Sequence, residues 1–388
     1  MSFRVLIAPD SFKGSLTSVE VARALADGWL RVRPRDRVEL APLADGGEGT
    51  IEAILAAGRG WASMPVSTRD PLGRSIAGRF LRDGERGVVE LADASGLSRL
   101  EAGERDALRA TTFGTGLTLA AAVGLGVRQI VLGVGGSATT DGGAGLLSAL
   151  GARFLDDDGN DLPPGGAALA RLARIELRGL APVLSEVDLV IASDVTNPLL
   201  GERGAAAVYG PQKGASEAQV RELDGALGRF ASILEAATGR SIRHVPGAGA
   251  AGGTVAGLLG IAGRFASVDV QPGIDTVMEL TSFGERLAEA DLVLTGEGRI
   301  DEQTAYGKTA LGVARRAAAA GVPCVAVGGS VTPEGRAALE PLGATAVPVS
   351  EGPGTLEAAM AAGAEPVERA GALVARLVSL GERLAMGT

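Results

Sequence analysis

Short apolar runs alternate with capped, amphipathic segments at both ends of this chain, and that alternation restricts the fold more than any other feature. Phe3–Pro9 predicts a strand and Asp10–Ser15 a polar loop. A helix follows over Ser18–Val32, with Thr17 and Glu20 at the spacing of a capping box. Val38–Leu43 predicts a second strand, leading through Ala44-Asp45-Gly46-Gly47-Glu48-Gly49 into a helix over Thr50–Ala57. Trp61–Val66 then closes a β-α-β-α-β run, the pattern of a parallel, doubly wound sheet. The same alternation returns late in the chain. Strands are expected at Asp291–Thr295, Val322–Gly328 and Ala344–Val347, and helices at Thr309–Ala320, Pro333–Leu342 and Glu365–Ala385. Thr332 is the expected N-cap before Pro333.

The middle reads differently. Ser75–Leu81 and Val88–Leu91 flank Arg82–Gly87 as a hairpin. Glycine-rich segments follow at Gly133–Gly145, Asn197–Gly214 and Gly247–Gly257. At 388 residues, two cores are the default. The expected fold is therefore α/β in two domains. Residues 1–66 and 286–388 form a discontinuous, Rossmann-like parallel-sheet domain, and 67–285 an inserted α/β domain with a mixed sheet. Clefts between such domains are the usual place for small ligands.

Composition narrows the chemistry. A formal charge of −9 argues against general nucleic-acid binding. No apolar run approaches the about 20 residues of a membrane span, and the N-terminus lacks signal-peptide architecture, so a cytoplasmic protein is expected. Cys324 is the only cysteine and sits in an apolar run, which reads as a small core residue. His244 is the only histidine, which removes a His/Cys zinc site and leaves it a structural or loop-capping role. Acid–base work then falls to carboxylates and lysines.

The chain holds 34 arginines and three lysines. A lysine kept against that bias suggests a place that needs a compact point charge. Lys13, Lys213 and Lys308 each adjoin a glycine in a loop before a predicted helix, an arrangement suited to anions. Gly307-Lys308-Thr309 does not complete a P-loop, because Glu302 occupies the position of the first glycine. Asp10, Asp45, Glu48, Asp194, Glu297 and Asp301 all follow predicted strands, where open α/β sheets bind ligands. Acids gathered there suit Mg²⁺ binding and deprotonation of a hydroxyl. Gly135–Gly143, rich in glycine and hydroxyls, reads as a donor-rich nest for phosphate or carboxylate. Asp156-Asp157-Asp158-Gly159-Asn160 lacks the closing Glu of a calcium loop, since Ala167 stands there, and reads as a solvated turn.

In order and spacing, these loops resemble the bacterial glycerate kinase family along nearly the whole chain. The matching stretches are Ala8–Leu16, Ala44–Thr50, Gly135–Thr139, Asp141–Gly145, Asp194–Leu199, Gly210–Gly214 and Thr295–Asp301. The resemblance implies ATP- and Mg²⁺-dependent phosphorylation of D-glycerate in an interdomain cleft, with 2-phosphoglycerate the expected product and the 3-phosphate an alternative. Under it, Lys13 and Lys213 meet phosphate or the substrate carboxylate, and Asp194 is base or metal ligand. Asp45, Glu48, Glu297 and Asp301 are the metal candidates. Arg69 and Arg299 are placed to fork onto the glycerate carboxylate. Asp10, Ser11, Gly136, Ser137, Thr139 and Lys308 complete the substrate and phosphate set. Thr140 departs from the pattern, which leads one to expect Asn. A kinase of another small hydroxy acid stays open, as does a homodimer. A nicotinamide-dependent dehydrogenase would need a dinucleotide fingerprint, but Asp10–Ser15 lacks it, and Asp301 stands where Gly296-Glu297-Gly298 would require a third glycine. A non-catalytic two-lobed binding protein usually carries an export signal, which is not seen here.

Overall fold

The structure, a computed structural model, describes residues 2–58, 60–302, 309–350, 352, 355–385 and 387. Its strands, in chain order, are β1 (Arg4–Pro9), β2 (Arg37–Leu40), β3 (Ala62–Arg69), β4 (Ser75–Asp83), β5 (Arg86–Glu90), β6 (Gln129–Gly133), β7 (Arg153–Leu155), β8 (Arg174–Glu176), β9 (Asp188–Ala192), β10 (Ser267–Gln271), β11 (Leu292–Ile300), β12 (Cys324–Val331) and β13 (Thr345–Pro348). The chain divides into two compact units. One comprises Met1–Asp45, Glu52–Arg59 and Ile274–Thr388; the other comprises Gly46–Ile51 and Gly60–Gly273.

The first unit is built on a five-stranded, all-parallel sheet in the order β13-β12-β11-β1-β2. Alternation along β1 gives the sheet two apolar faces. Val5 and Ile7 pack with the helices Ser18–Val32 and Glu365–Ala385, while Leu6 and Ala8 pack toward Ile274–Leu287 and Thr309–Ala320. The Thr17/Glu20 capping box forms, and Thr332 caps Pro333–Leu339. Cys324 is buried in β12, and burial pushes its thiol up to about 12.

The second unit carries a six-stranded mixed sheet, β10-β9-β6-β5-β4-β3, and the antiparallel pair β7-β8. Here the strand expected at Trp61–Val66 requires correction. It does not close the parallel run but pairs antiparallel with β4. The cause is local. Asp70 Oδ1 accepts the N–H groups of Leu72 and Arg74, and Gly73 takes φ +86°, making a turn far too short for a parallel crossover. Asp156 Oδ1 likewise accepts from Asp158 and Asn160 N–H, forming a simple turn. His244 is an exposed turn residue.

The helices Ser18–Val32 and Glu365–Ala385 approach closely at Gly28, where a Cβ would fall on the Glu368 carbonyl oxygen. Gly28→Ala is therefore expected to destabilise the protein by about 1–3 kcal/mol, although alanine is the better helix former. Urea unfolding checks this, and a stabilised variant would contradict the packing.

Candidate active site

In the first unit, β1 continues to β2 on one side of the sheet, and the chain later returns at β11 on the other side and moves outward to β12 and β13. The winding direction thus reverses between β1 and β11, and the crevice at such a switch point is where open α/β sheets hold ligands. The backbone brings the candidate residues there. Asp10 N–H donates to the Gly296 carbonyl at 2.8 Å, beside Glu297, and Leu43 N–H donates to the Pro9 carbonyl at 2.9 Å, two residues before Asp45. β11 runs on past Thr295 to Ile300, held by pairing with β12 and by the buried Ile300 side chain. Glu297 therefore lies within the strand and Asp301 just after it, a correction to the expected end.

Asp10 is buried and accepts from Thr309 Oγ1 at 2.7 Å and from Ser11 N–H at 2.6 Å. Burial, then the neighbouring Asp45 carboxylate, raise its carboxyl to about 6. Lys13 Nζ donates to Asp45 Oδ2 at 3.2 Å, and Asp45, with Asp10 and Glu297 adding to it, raises the ammonium pKa. With 77% of the Lys13 side chain exposed, solvent screens this pair and it adds little stability. Lys13 is an exposed cation held beside Asp45, with Asp10 and Glu297 near enough to act on its charge. Arg299 pairs with Asp301 at 3.0 Å. Lys308 lies outside the described residues.

In the second unit the carboxyl ends of β5, β6, β9 and β10 are in register, with Glu90, Gly133, Ala192 and Gln271 side by side. The segment Gly46–Ile51 packs across these ends. Glu90 accepts from Gly49 and Ile51 N–H, and Gly135 N–H donates to the Gly46 carbonyl at 3.2 Å. Glu48 is exposed and lies against Gly136. Asp194 is exposed, and its Oδ1 accepts from Gly273 N–H at 2.9 Å. Arg69 donates to the Gly73 carbonyl at 2.8 Å, within its own turn.

Lys213 departs from the expectation of a lysine in a polar loop. It is 2% exposed, and its ammonium donates to Ser137 Oγ at 2.9 Å and to the Thr139 carbonyl at 2.6 Å. Burial lowers its pKa to about 7, against the pull of Asp141. A buried ammonium needs such acceptors, so the side chain fixes the Gly135–Thr140 loop in place. Ala251, at φ 51°, begins the left-handed turn that packs on Thr139 and Thr140. The Thr139 and Thr140 hydroxyls are buried and have no hydrogen-bond partner.

Among the described residues, no three His, Cys, Asp or Glu side chains gather as a metal cluster. Mg²⁺ commonly takes only one or two carboxylates, with phosphate and water completing its shell. The hard oxygen donors around Lys13 fit that chemistry.

Residues 5–379 match the model of the glycerate kinase family. The chain belongs to that family. As a member, it is an enzyme of the phosphotransferase class. It is 47% identical over 329 residues to a glycerate kinase of Halalkalibacterium halodurans, covering 84% of this chain and 85% of that protein. It is 41% identical to a glycerate 2-kinase of Escherichia coli, covering 85% and 86%. A crystal structure of a putative glycerate kinase 2 from Salmonella typhimurium superposes with a TM-score of 0.82 at 39% identity, covering 99% of this chain and 100% of that one. No helix among the described residues is long and apolar enough to cross a membrane.

Asp141, Glu90 and Thr309 were not among the expected site residues, although Asp141 and Thr309 lie in stretches that the sequence marks. Asp141 is fully buried and accepts from Thr112 N–H and Oγ1, Thr111 Oγ1, and the Gly143 and Gly145 N–H groups. The two glycines after it were the available signal. Glu90 carried none, and the contact of Thr309 with Asp10 could not be read, because their partners lie about 40 and 299 residues away.

A carboxyl whose folded pKa, near 6, exceeds its unfolded value binds its proton more tightly in the fold. Its contribution to stability is present below about pH 4 and is lost as pH rises to about 6. Asp10→Asn keeps an oxygen acceptor for Ser11 N–H, turns an amide donor toward the Thr309 hydroxyl, which can accept, and removes this loss. In EDTA-containing buffer, its stability relative to the parent protein is expected to rise between pH 4 and pH 7.5, by up to about 3 kcal/mol. Thermal unfolding at both pH values checks this, and a constant difference would contradict the assignment.

Proposed function

We propose that this protein transfers the γ-phosphoryl group of ATP to the 2-hydroxyl of D-glycerate, giving 2-phospho-D-glycerate and ADP. The observation that carries this reading is Lys13, held beside Asp10, Asp45 and Glu297 at the switch point of a parallel sheet in a member of a kinase family. The 2-position is favoured by similarity to the Escherichia coli relative, a glycerate 2-kinase. We read the five-stranded unit as a Rossmann-like nucleotide-binding fold.

Phosphoryl transfer asks a protein mainly for positioning and charge stabilisation. Lys13 supplies a point charge to the transferring phosphoryl group. Asp45 and Glu297 are the residues that would hold Mg²⁺, with Asp301 and Glu48 as further oxygen donors; the ion, when bound, neutralises charge on the phosphate oxygens. Gly136, Ser137 and Thr139 form the anion nest, which Lys213 shapes from its buried position. The Thr139 and Thr140 hydroxyls are candidate donors to a bound group, since an unsatisfied buried donor costs about 1–3 kcal/mol. Asp194 accepts the proton of the glycerate hydroxyl as its oxygen bonds to phosphorus and the bond to the ADP oxygen breaks. Arg69 and Arg299 are the candidates for the substrate carboxylate. Ser11, beside Asp10, offers a further hydroxyl to phosphate, and Lys308 keeps a general phosphate role.

D-Glycerate is expected to drive ADP release in the presence of Mg²⁺ and not after its removal by EDTA. In the proton-coupled ³¹P spectrum, a product phosphorylated at the 2-position shows a doublet from one carbinol proton. A triplet would assign the 3-position, and absence of glycerate-dependent ADP would sink the kinase reading. Lys13→Ala is expected to lower kcat/KM more than about tenfold, or roughly 1.4 kcal/mol. A smaller loss in steady-state kinetics would remove Lys13 from the transition state.

A further inference from the structure

Beside the switch point, the first unit contains a cavity of about 560 Å³. Its wall is formed by the Phe12–Leu16 loop, the ends of β11 and β12, and the segment leading into the helix Glu365–Ala385. Such a volume lies within the range of about 300–1,000 Å³ typical of small-molecule sites. Lys13 lines this cavity and also pairs with Asp45, with Asp10 and Glu297 acting on its charge.

The lining has two characters. Phe12, Leu16 and Met360 present apolar and polarisable surface, and Ser330 and Thr355 add hydroxyls. Glycerate is a poor match for this wall. It has three carbons, carries a carboxylate and two hydroxyls, and lacks any extended apolar face. A nucleotide matches on each count, because its base has apolar faces and polar edges, its ribose has hydroxyls, and its phosphates need cations. Gly298 supports the same fit. A Cβ there would stand 3.4 Å from Phe12 Cα and 3.6 Å from Lys13 N, so the strand accommodates a side chain but the cavity would lose space beside Lys13.

We propose that this cavity receives the nucleoside of the nucleoside triphosphate, with its phosphates running past Gly298 and Lys13 toward Asp10, Asp45 and Glu297. The assignment rests on the kinase reading and adds to it where, in this chain, the base and ribose are held. It makes the cavity wall a determinant of nucleotide affinity and leaves glycerate affinity to other residues.

Ser330 is exposed, so a large side chain is tolerated there without disturbing a core. Ser330→Trp would fill the cavity, and Gly298→Val would narrow it from a second strand. Titration calorimetry with ADP in Mg²⁺ buffer is the test, with tripolyphosphate as a probe that has phosphates but no nucleoside. In each variant that retains the parent unfolding temperature, ADP binding is expected to weaken by at least about tenfold, while tripolyphosphate binding is unchanged. ADP affinity unchanged in both variants would overturn the assignment, as would equal loss of ADP and tripolyphosphate. Failure of the parent protein to bind ADP at all would instead overturn the kinase reading, and this assignment with it.

Discussion

Parallel pairing of β1 with β11, from Val5 opposite Leu292 to Pro9 opposite Gly296, is the constraint on which the first unit depends. It joins residues almost three hundred positions apart, so a long loop-closure cost is offset only by what the pairing buries. Val5, Ile7, Leu292 and Leu294 fill one face of the sheet, and Leu6, Ala8 and Val293 the other. The same register has a chemical consequence. It sets Asp10, just past the end of β1, beside Glu297 within β11, at the point where the winding direction reverses.

Burying acids side by side is unfavourable unless cations or hydrogen bonds compensate. Thr309 and Ser11 supply hydrogen bonds to Asp10, and Lys13 supplies charge to Asp45, yet the Asp10 carboxyl is still pushed up to about 6. Such residual frustration is common where a ligand later contributes the missing charge. The second unit uses the opposite arrangement. There a buried cation, Lys213, is satisfied by Ser137 Oγ and the Thr139 carbonyl, and these contacts hold the Gly135–Thr140 loop. The two lysines that family resemblance singles out thus act by different physics. One is an exposed charge, and the other is a buried internal strut.

Local rules made much of the fold legible. The helices Ser18–Val32, Thr50–Ala57, Thr309–Ala320 and Glu365–Ala385 lie where periodicity and capping residues predict them. Strand ends were less legible, since β11 gains its last residues from pairing with β12, which one segment alone does not reveal. Ala62–Arg69 has the composition of any short strand, and its antiparallel placement follows from the Asp70–Gly73 turn.

By itself, the sequence determined the α/β class and the family, and marked the glycine- and charge-rich loops, because spacing of apolar residues, glycines and charges is a local property. Tertiary structure alone decided which of these residues meet. It paired Lys13 with Asp45, sealed Lys213 beneath Ser137 and Thr139, tied Arg299 to Asp301, and brought Thr309 to Asp10. The physical reason is that burial and electrostatic coupling depend on distance in space. Lysines equal in their glycine-flanked settings become, once folded, an exposed charge beside Asp45 and a buried one whose pKa falls to about 7.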